Sequence, residues 1–211
     1  EFQVTNEKRN YGEGRMRSRS VTSEHRVEPR CKHFSRCGGC SLQHLDHQQQ
    51  IEFKKTQEVS SFDRLNIITE SLLTPINGSQ WGYRRRARLA VQRAKDGQFI
   101  VGFRNAGSRR IEPITEYLVL DDSLAALLVV LPQWLQSLPT DITFYEIELV
   151  SADNAIAIAL ETSRQLKDNE LNVLMEGLQS LSQTPIQCWW KVGKNGQFQQ
   201  LGEGAGELYL Q

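Results

Sequence analysis

Hydrophobic and polar positions alternate along much of the chain and break at turn residues. Phe2-Gln3-Val4-Thr5 alternates, Asn10 to Gly14 has turn chemistry, and Arg15 to Val21 alternates basic with small or apolar residues at period two. That pattern suits strands, the second with one cationic face. Two strands do not make a stable domain alone. They read as the last strands of a small β-barrel, with 22–30 as a polar linker containing Pro29. Residues 48–60 hold good helix formers with sparse apolar positions, and 61–80 end in the loop sequence Pro75-Ile76-Asn77-Gly78-Ser79. Residues 81–92 and 98–103 flank the turn Lys95-Asp96-Gly97 and predict a hairpin. Its first arm places Arg84, Arg86 and Arg88 on one face and Arg85, Ala87, Leu89 and Val91 on the other. Asp121 or Asp122 can cap a helix running to about Leu138, bent or interrupted at Pro132. Residues 143–150 and 155–161 predict a second hairpin. Asp168 can cap a helix in which Leu171, Leu174, Leu178 and Leu181 recur at helical spacing, and 186–192 is a further strand. The order ββ-α-ββ-α-β defines an α+β class, an antiparallel sheet with two helices.

Composition narrows the setting. In 211 residues no apolar run approaches the ~20 needed to span a bilayer. The longest, Leu124 to Leu131, stops at Pro132. No membrane association is expected. The start Glu1-Phe2-Gln3 has neither Met nor a signal-peptide pattern and reads as cut from a longer chain. Four cysteines, three of them together, are too few and too clustered for a disulfide framework, which favours a reducing, cytoplasmic setting.

The formal net charge of zero conceals segregation. Residues 84–110 carry nine basic residues and one acid, net +8; residues 111–211 carry four basic and fourteen acidic, net −10. A one-signed basic segment points to a polyanion partner. The acidic remainder is expected to face elsewhere. Arg84, Arg85, Arg86, Arg88, Arg104, Arg109 and Arg110 are interleaved with Trp81, Tyr83, Phe99 and Phe103. Guanidinium forks bind phosphates and aromatic faces stack unpaired bases, so these arginines are the candidate RNA-binding set. Scattered charge on a strand is ordinarily only solvated, and the aromatics equally suit a core.

The run Cys31-Lys-His-Phe-Ser-Arg-Cys37-Gly-Gly-Cys40 has the spacing C-x5-C-x2-C. Three thiolates on a short loop converge on a metal or iron–sulfur centre, and Gly38 and Gly39 let the backbone wrap tightly. Zinc competes evenly on spacing, because three cysteines and a histidine make a known shell and His33, His44 and His47 are near in sequence. A redox pair at Cys37 and Cys40 lacks the strand-then-helix context, and buried unliganded thiols are the bland alternative. Gly202, Gly204 and Gly206 match GxGxG, but only five residues follow, so the run is read as a turn rather than a nucleotide loop. No two carboxylates are placed as a catalytic pair, and no catalytic residue is assigned.

Three blocks in order resemble the 23S ribosomal RNA uracil-5-methyltransferase family in its iron–sulfur bacterial branch: Pro29 to His44 around the cysteines, Trp81-Gly-Tyr-Arg-Arg-Arg-Ala-Arg-Leu89, and Gly102-Phe-Arg-Asn-Ala-Gly-Ser108. The resemblance implies a basic TRAM-like barrel, a central α+β domain with a [4Fe–4S] cluster and RNA contacts, and a Rossmann-like domain that methylates uracil C5 from S-adenosylmethionine. Residues 1–29 then correspond to the barrel's last strands and a linker. Residues 30–205 form the central domain, with 50–82 packing on the catalytic domain, and 206–211 lead into that domain. The family's nucleophilic cysteine and base have no counterpart here, Cys188 included, so this piece alone is expected to be inactive. Its partner is ribosomal RNA. A transfer-RNA or other rRNA branch, and a non-catalytic zinc-stabilised RNA-binding module, are the alternatives. Cys31, Cys37 and Cys40 carry over as metal ligands, whereas the position of the fourth cysteine reads Tyr117. A histidine or Cys188 would then have to substitute, or the cluster is a three-iron form or absent.

Overall fold

The computed structural model of the chain describes residues 2–8, 11–16, 24–138, 142–201 and 208. It divides into two units, residues 1–29 with 42–72 and residues 30–41 with 73–211. In the first unit, strands β1 (Phe2–Lys8) and β2 (Tyr11–Met16) form an antiparallel hairpin, with Lys8 opposite Tyr11 and Phe2 opposite Met16. The second strand therefore starts inside the stretch with turn chemistry, Gly12 and Gly14 included. Residues 17–21 of the expected strand lie outside the described residues. No closed barrel is built from the described residues. The linker is not simply extended. Arg26 bridges Leu45, the Val27 amide donates to the His44 carbonyl (3.0 Å), and the Asp46 amide donates to that of His25 (3.0 Å). Helix α1 (His47–Arg64) follows, longer than its sparse apolar positions suggest. The Asp46 carboxylate caps it by accepting from the Gln49 amide at 2.9 Å. None of its residues is buried.

The second unit is built on a seven-stranded sheet in the order β5-β4-β3-β6-β7-β8-β9. Its strands are β3 (Arg86–Arg93), β4 (Phe99–Arg104), β5 (Ile111–Pro113), β6 (Phe144–Ser151), β7 (Ile156–Thr162), β8 (Ile186–Val192) and β9 (Gln199–Leu201). Helices α2 (Asp122–Ser137) and α3 (Asp168–Gln179) cover one face. The α+β class holds, but the sheet is mixed. β7 and β8 run parallel, with Ile156 opposite Ile186 and Thr162 opposite Val192. The connection contains α3, which carries the chain back to the end where β7 began, so the next strand must run the same way. The GxGxG stretch beyond Leu201 lies outside the described residues.

Period-two burial explains the layers. In β3, Ala87, Leu89 and Val91 face the helices while Arg86 and Arg88 face solvent. In α2, Leu124, Leu127, Leu128, Leu131 and Leu135 are each at most 1 % exposed and form one stripe at helical spacing. Pro132 sits inside this helix without ending it. It forfeits one intrahelical donor, and the buried leucines on either side hold the turn in place. Asp121 is the cap; its carboxylate accepts from the Ser123 amide (3.0 Å) and from the Ser151 hydroxyl of β6 (3.2 Å), joining the helix start to the sheet.

The start of α3 differs from expectation. Lys167, not Asp168, is the cap residue, and Glu170 closes the box by accepting from the Lys167 amide at 2.8 Å. Arg164 forks onto the same carboxylate at 2.7 and 2.9 Å. The Arg164 hydrogen bonds and the Lys167 amide lower Glu170 from 4.5 to about 2. A carboxyl lowered on folding stabilises the fold above its unfolded value, and that contribution disappears as pH falls toward the folded value. Between wild type and Glu170→Gln, the difference in urea-unfolding stability is therefore expected to be full at pH 7 and to shrink between about pH 4.5 and about 2. A difference that does not change across that range would contradict the assignment.

Candidate cysteine loop and nucleic-acid interface

The cysteine loop is anchored on the end of β4. Cys37 bridges Asn105, the Gly38 amide donates to the Arg104 carbonyl (3.0 Å), and the Ala106 amide donates to that of Arg36 (3.1 Å). These bonds explain the glycine pair. A Cβ on Gly38 would stand 2.9 Å from the Arg104 carbonyl oxygen. One on Gly39 would overlap the Tyr117 hydroxyl and lie 3.2 Å from its Cζ and 3.3 Å from the Cys37 sulfur. Cys31 and Cys37 are buried and Cys40 is half-buried. Burial raises the Cys37 thiol, which the Gly39 amide partly offsets; the neighbouring Cys40 and Cys31 raise it further. The three thiols thus lie on one loop against the end of β4.

Tyr117 stands against Gly39 of this loop. It is 4 % exposed, and its ring stacks on Phe103 with centroids 4.5 Å apart. Its hydroxyl accepts from Arg84 Nη1 at 2.7 Å. Burial raises the phenol far above its ordinary value against the lowering effect of Arg84, so it holds its proton. Cys188 cannot substitute. It lies on β8, four strands from β4, roughly 19 Å away at ordinary strand spacing. It is fully buried in the core. His44 and His47 belong to the other unit. His33 is buried in the loop itself, with Nδ1 3.1 Å from a Glu112 oxygen that Arg36 also contacts at 3.0 Å. Its Nε2 makes no hydrogen bond among the described residues. Among those residues no three His, Cys, Asp or Glu side chains are grouped to hold a metal. Three thiols and a protonated phenol do not make a four-thiolate shell, so the [4Fe–4S] cluster implied by the resemblance does not fit this donor set.

The basic segment is less one-signed in space than in sequence. Arg86 pairs with Glu148; Arg88 reaches Glu148 and Glu146, each at 3.2 Å; Arg85 pairs with Asp153 at 2.6 Å. Burial pushes the Glu148 carboxyl up, but the hydrogen bonds from Arg86 and Arg88 outweigh it and hold it low. The acidic part of the chain thus does not face elsewhere. It supplies the strand beside the arginines, because the register sets Arg88 opposite Glu148. Arg84 turns to Tyr117 instead of joining Arg86 and Arg88, and Arg85 is exposed rather than inward. On this open face Arg88, Glu146, Glu148, Glu161, Lys191 and Phe198 line a depression of about 550 Å³. The loop 104–110 is different. Arg104 donates to the Arg109 carbonyl at 3.2 Å, and all three arginines are exposed, with no carboxylate partner among the described residues. Glu112 and Phe103 complete the site's surroundings; neither carries a sequence signal that ties it to the cysteines.

No family model matches the chain. Curated relatives do. Two proteins named 23S rRNA (uracil(1939)-C(5))-methyltransferase RlmD, from Shewanella frigidimarina and Haemophilus parainfluenzae, are each 34% identical, over 177 and 174 residues. Each alignment spans 82% of this chain, but only 39% and 40% of the relative. Among solved structures, the Pyrococcus abyssi tRNA (uracil-54, C5)-methyltransferase in complex with S-adenosyl-L-homocysteine matches with a TM-score of 0.56 at 18% identity, over the whole of this chain and 45% of that one. That likeness is one of fold alone. Over about four fifths of its length the chain is similar to 23S rRNA (uracil-C5)-methyltransferases. It spans about two fifths of the length of the curated relatives it matches.

The burial order sets the order of thiol reactivity. In native protein treated with a disulfide reagent, Cys40 should label first and Cys188 only on unfolding. Early labelling of Cys188 would contradict its place in the core.

Proposed function

We propose that this chain is the RNA-recognition portion of an S-adenosylmethionine-dependent 23S rRNA uracil-C5 methyltransferase, which forms 5-methyluridine. The observation that carries the reading is the 34% identity to rRNA methyltransferases across four fifths of the chain. The exposed arginines of 104–110, beside the cysteine loop, supply the phosphate-binding chemistry. They are better placed for it than Arg86 and Arg88, whose guanidinium groups already face carboxylates. Bound S-adenosylmethionine would supply the methyl group in the remainder of the enzyme. The 211-residue chain alone binds RNA without methylating it, and no step of the proposal passes through a metal cluster.

In the same reading, residues 1–29 are the end of a barrel and its linker, and 30–205 the central domain, from which 50–82 departs to pack on the catalytic domain. What supports this is that 42–72 group with 1–29 rather than with the sheet, and that α1 buries no residue. Ile68, Leu73 and Ile76 are each at least 90 % exposed, an apolar run that calls for cover.

The test is binding of the chain to 23S rRNA fragments and to transfer RNA over a range of salt. The variant Arg104→Ala/Arg109→Ala/Arg110→Ala should lose affinity and flatten the slope of log K against log salt by about two to three. Unchanged affinity would remove the loop from the interface. Tighter binding to transfer RNA would favour that branch. Incorporation of labelled methyl groups by the chain alone would overturn its assignment as a recognition portion.

A further inference from the structure

We infer that in this chain Tyr117 does the structural work of a metal: it closes the cysteine loop by packing, and the loop is formed with three reduced thiols and no bound ion. A metal centre in such a loop has one mechanical task, to tie a segment without secondary structure to the sheet. Here that tie is made in another way. The Tyr117 ring is held by two neighbours. Phe103 of β4 stacks on it at 4.5 Å and 26°, and Arg84 lies over it at 5.8 Å while donating to its hydroxyl at 2.7 Å. The hydroxyl itself occupies the slot left by the missing Cβ of Gly39, between Cys37 and Cys40.

The loop also has ties that need no ion. The Gly38 amide donates to the Arg104 carbonyl and the Ala106 amide to that of Arg36, and His33 and Arg36 share the Glu112 carboxylate of β5. Every one of these contacts lies within residues 30–41 and 73–211. A metal-bound loop would need the phenol to leave this slot, giving up the Arg84 hydrogen bond and the Phe103 stack together. The inference concerns the folding of the loop and stands apart from RNA binding, so either can fail alone.

Three measurements on the 211-residue chain test it. Protein purified without oxygen from iron- and zinc-supplemented cells should carry no stoichiometric metal, and its melting temperature should be unchanged by chelator. Stoichiometric iron or zinc whose removal lowers the melting temperature would overturn the inference. Gly39→Ala should destabilise the parent through its overlap with the Tyr117 hydroxyl, and less so in a Tyr117→Phe background, where that hydroxyl is gone. Equal destabilisation in both backgrounds would show that the phenol does not fill the slot. Tyr117→Cys should acquire iron and a broad visible absorption, because it restores a fourth thiolate; a folded variant that stays free of metal would remove Tyr117 as the stand-in for a ligand.

Discussion

The second unit depends on the antiparallel register between β3 and β6. That register buries Leu89 against Ile147 and Ala87 against Leu149 on the helix-covered face, and on the other face it brings Arg88 to Glu148. Period-two geometry makes these two results inseparable, since a slip of one residue would turn leucines outward and arginines into the core. β3 also sits between β4, which carries the cysteine loop, and the β6–β7 hairpin. The apolar core, the charge pairs and the position of the loop therefore share one constraint.

Much of the architecture was legible because it is local. Both hairpins, the helix capped at Asp121 or Asp122, the leucines of α3 at helical spacing and the strand at 186–192 follow from spacing within one segment. What was not legible joins distant segments. The parallel pairing of β7 with β8 depends on where α3 returns the chain, and nothing in either strand encodes it. The Lys167 cap depends on Glu170 being fixed by Arg164, so the more usual capping residue Asp168 falls one position inside the helix.

The site shows the same division. Three thiols on one loop could be read from C-x5-C-x2-C, and the resemblance put Tyr117 in the fourth place, where the structure brings it against Gly39. The environment of the loop could not be read. His33 meets Glu112 across 79 positions, and Tyr117 meets Arg84 across 33. Charge was the more misleading signal. Counted along the chain, 84–110 is strongly cationic, but the partners of its strand arginines come from about 60 residues further on. At the end of β4 and in the loop after it, 104–110, the sequence charge survives as surface charge.

Glu148 has a consequence of a different kind. One carboxylate, only 15 % exposed, faces two guanidinium groups on the neighbouring strand and offsets part of their charge on the sheet's open surface. Its replacement by a neutral residue of similar shape would leave Arg86 without its carboxylate, while Arg88 would keep Glu146 at 3.2 Å. Position 148 thus governs how much positive charge this face of the sheet leaves unpaired.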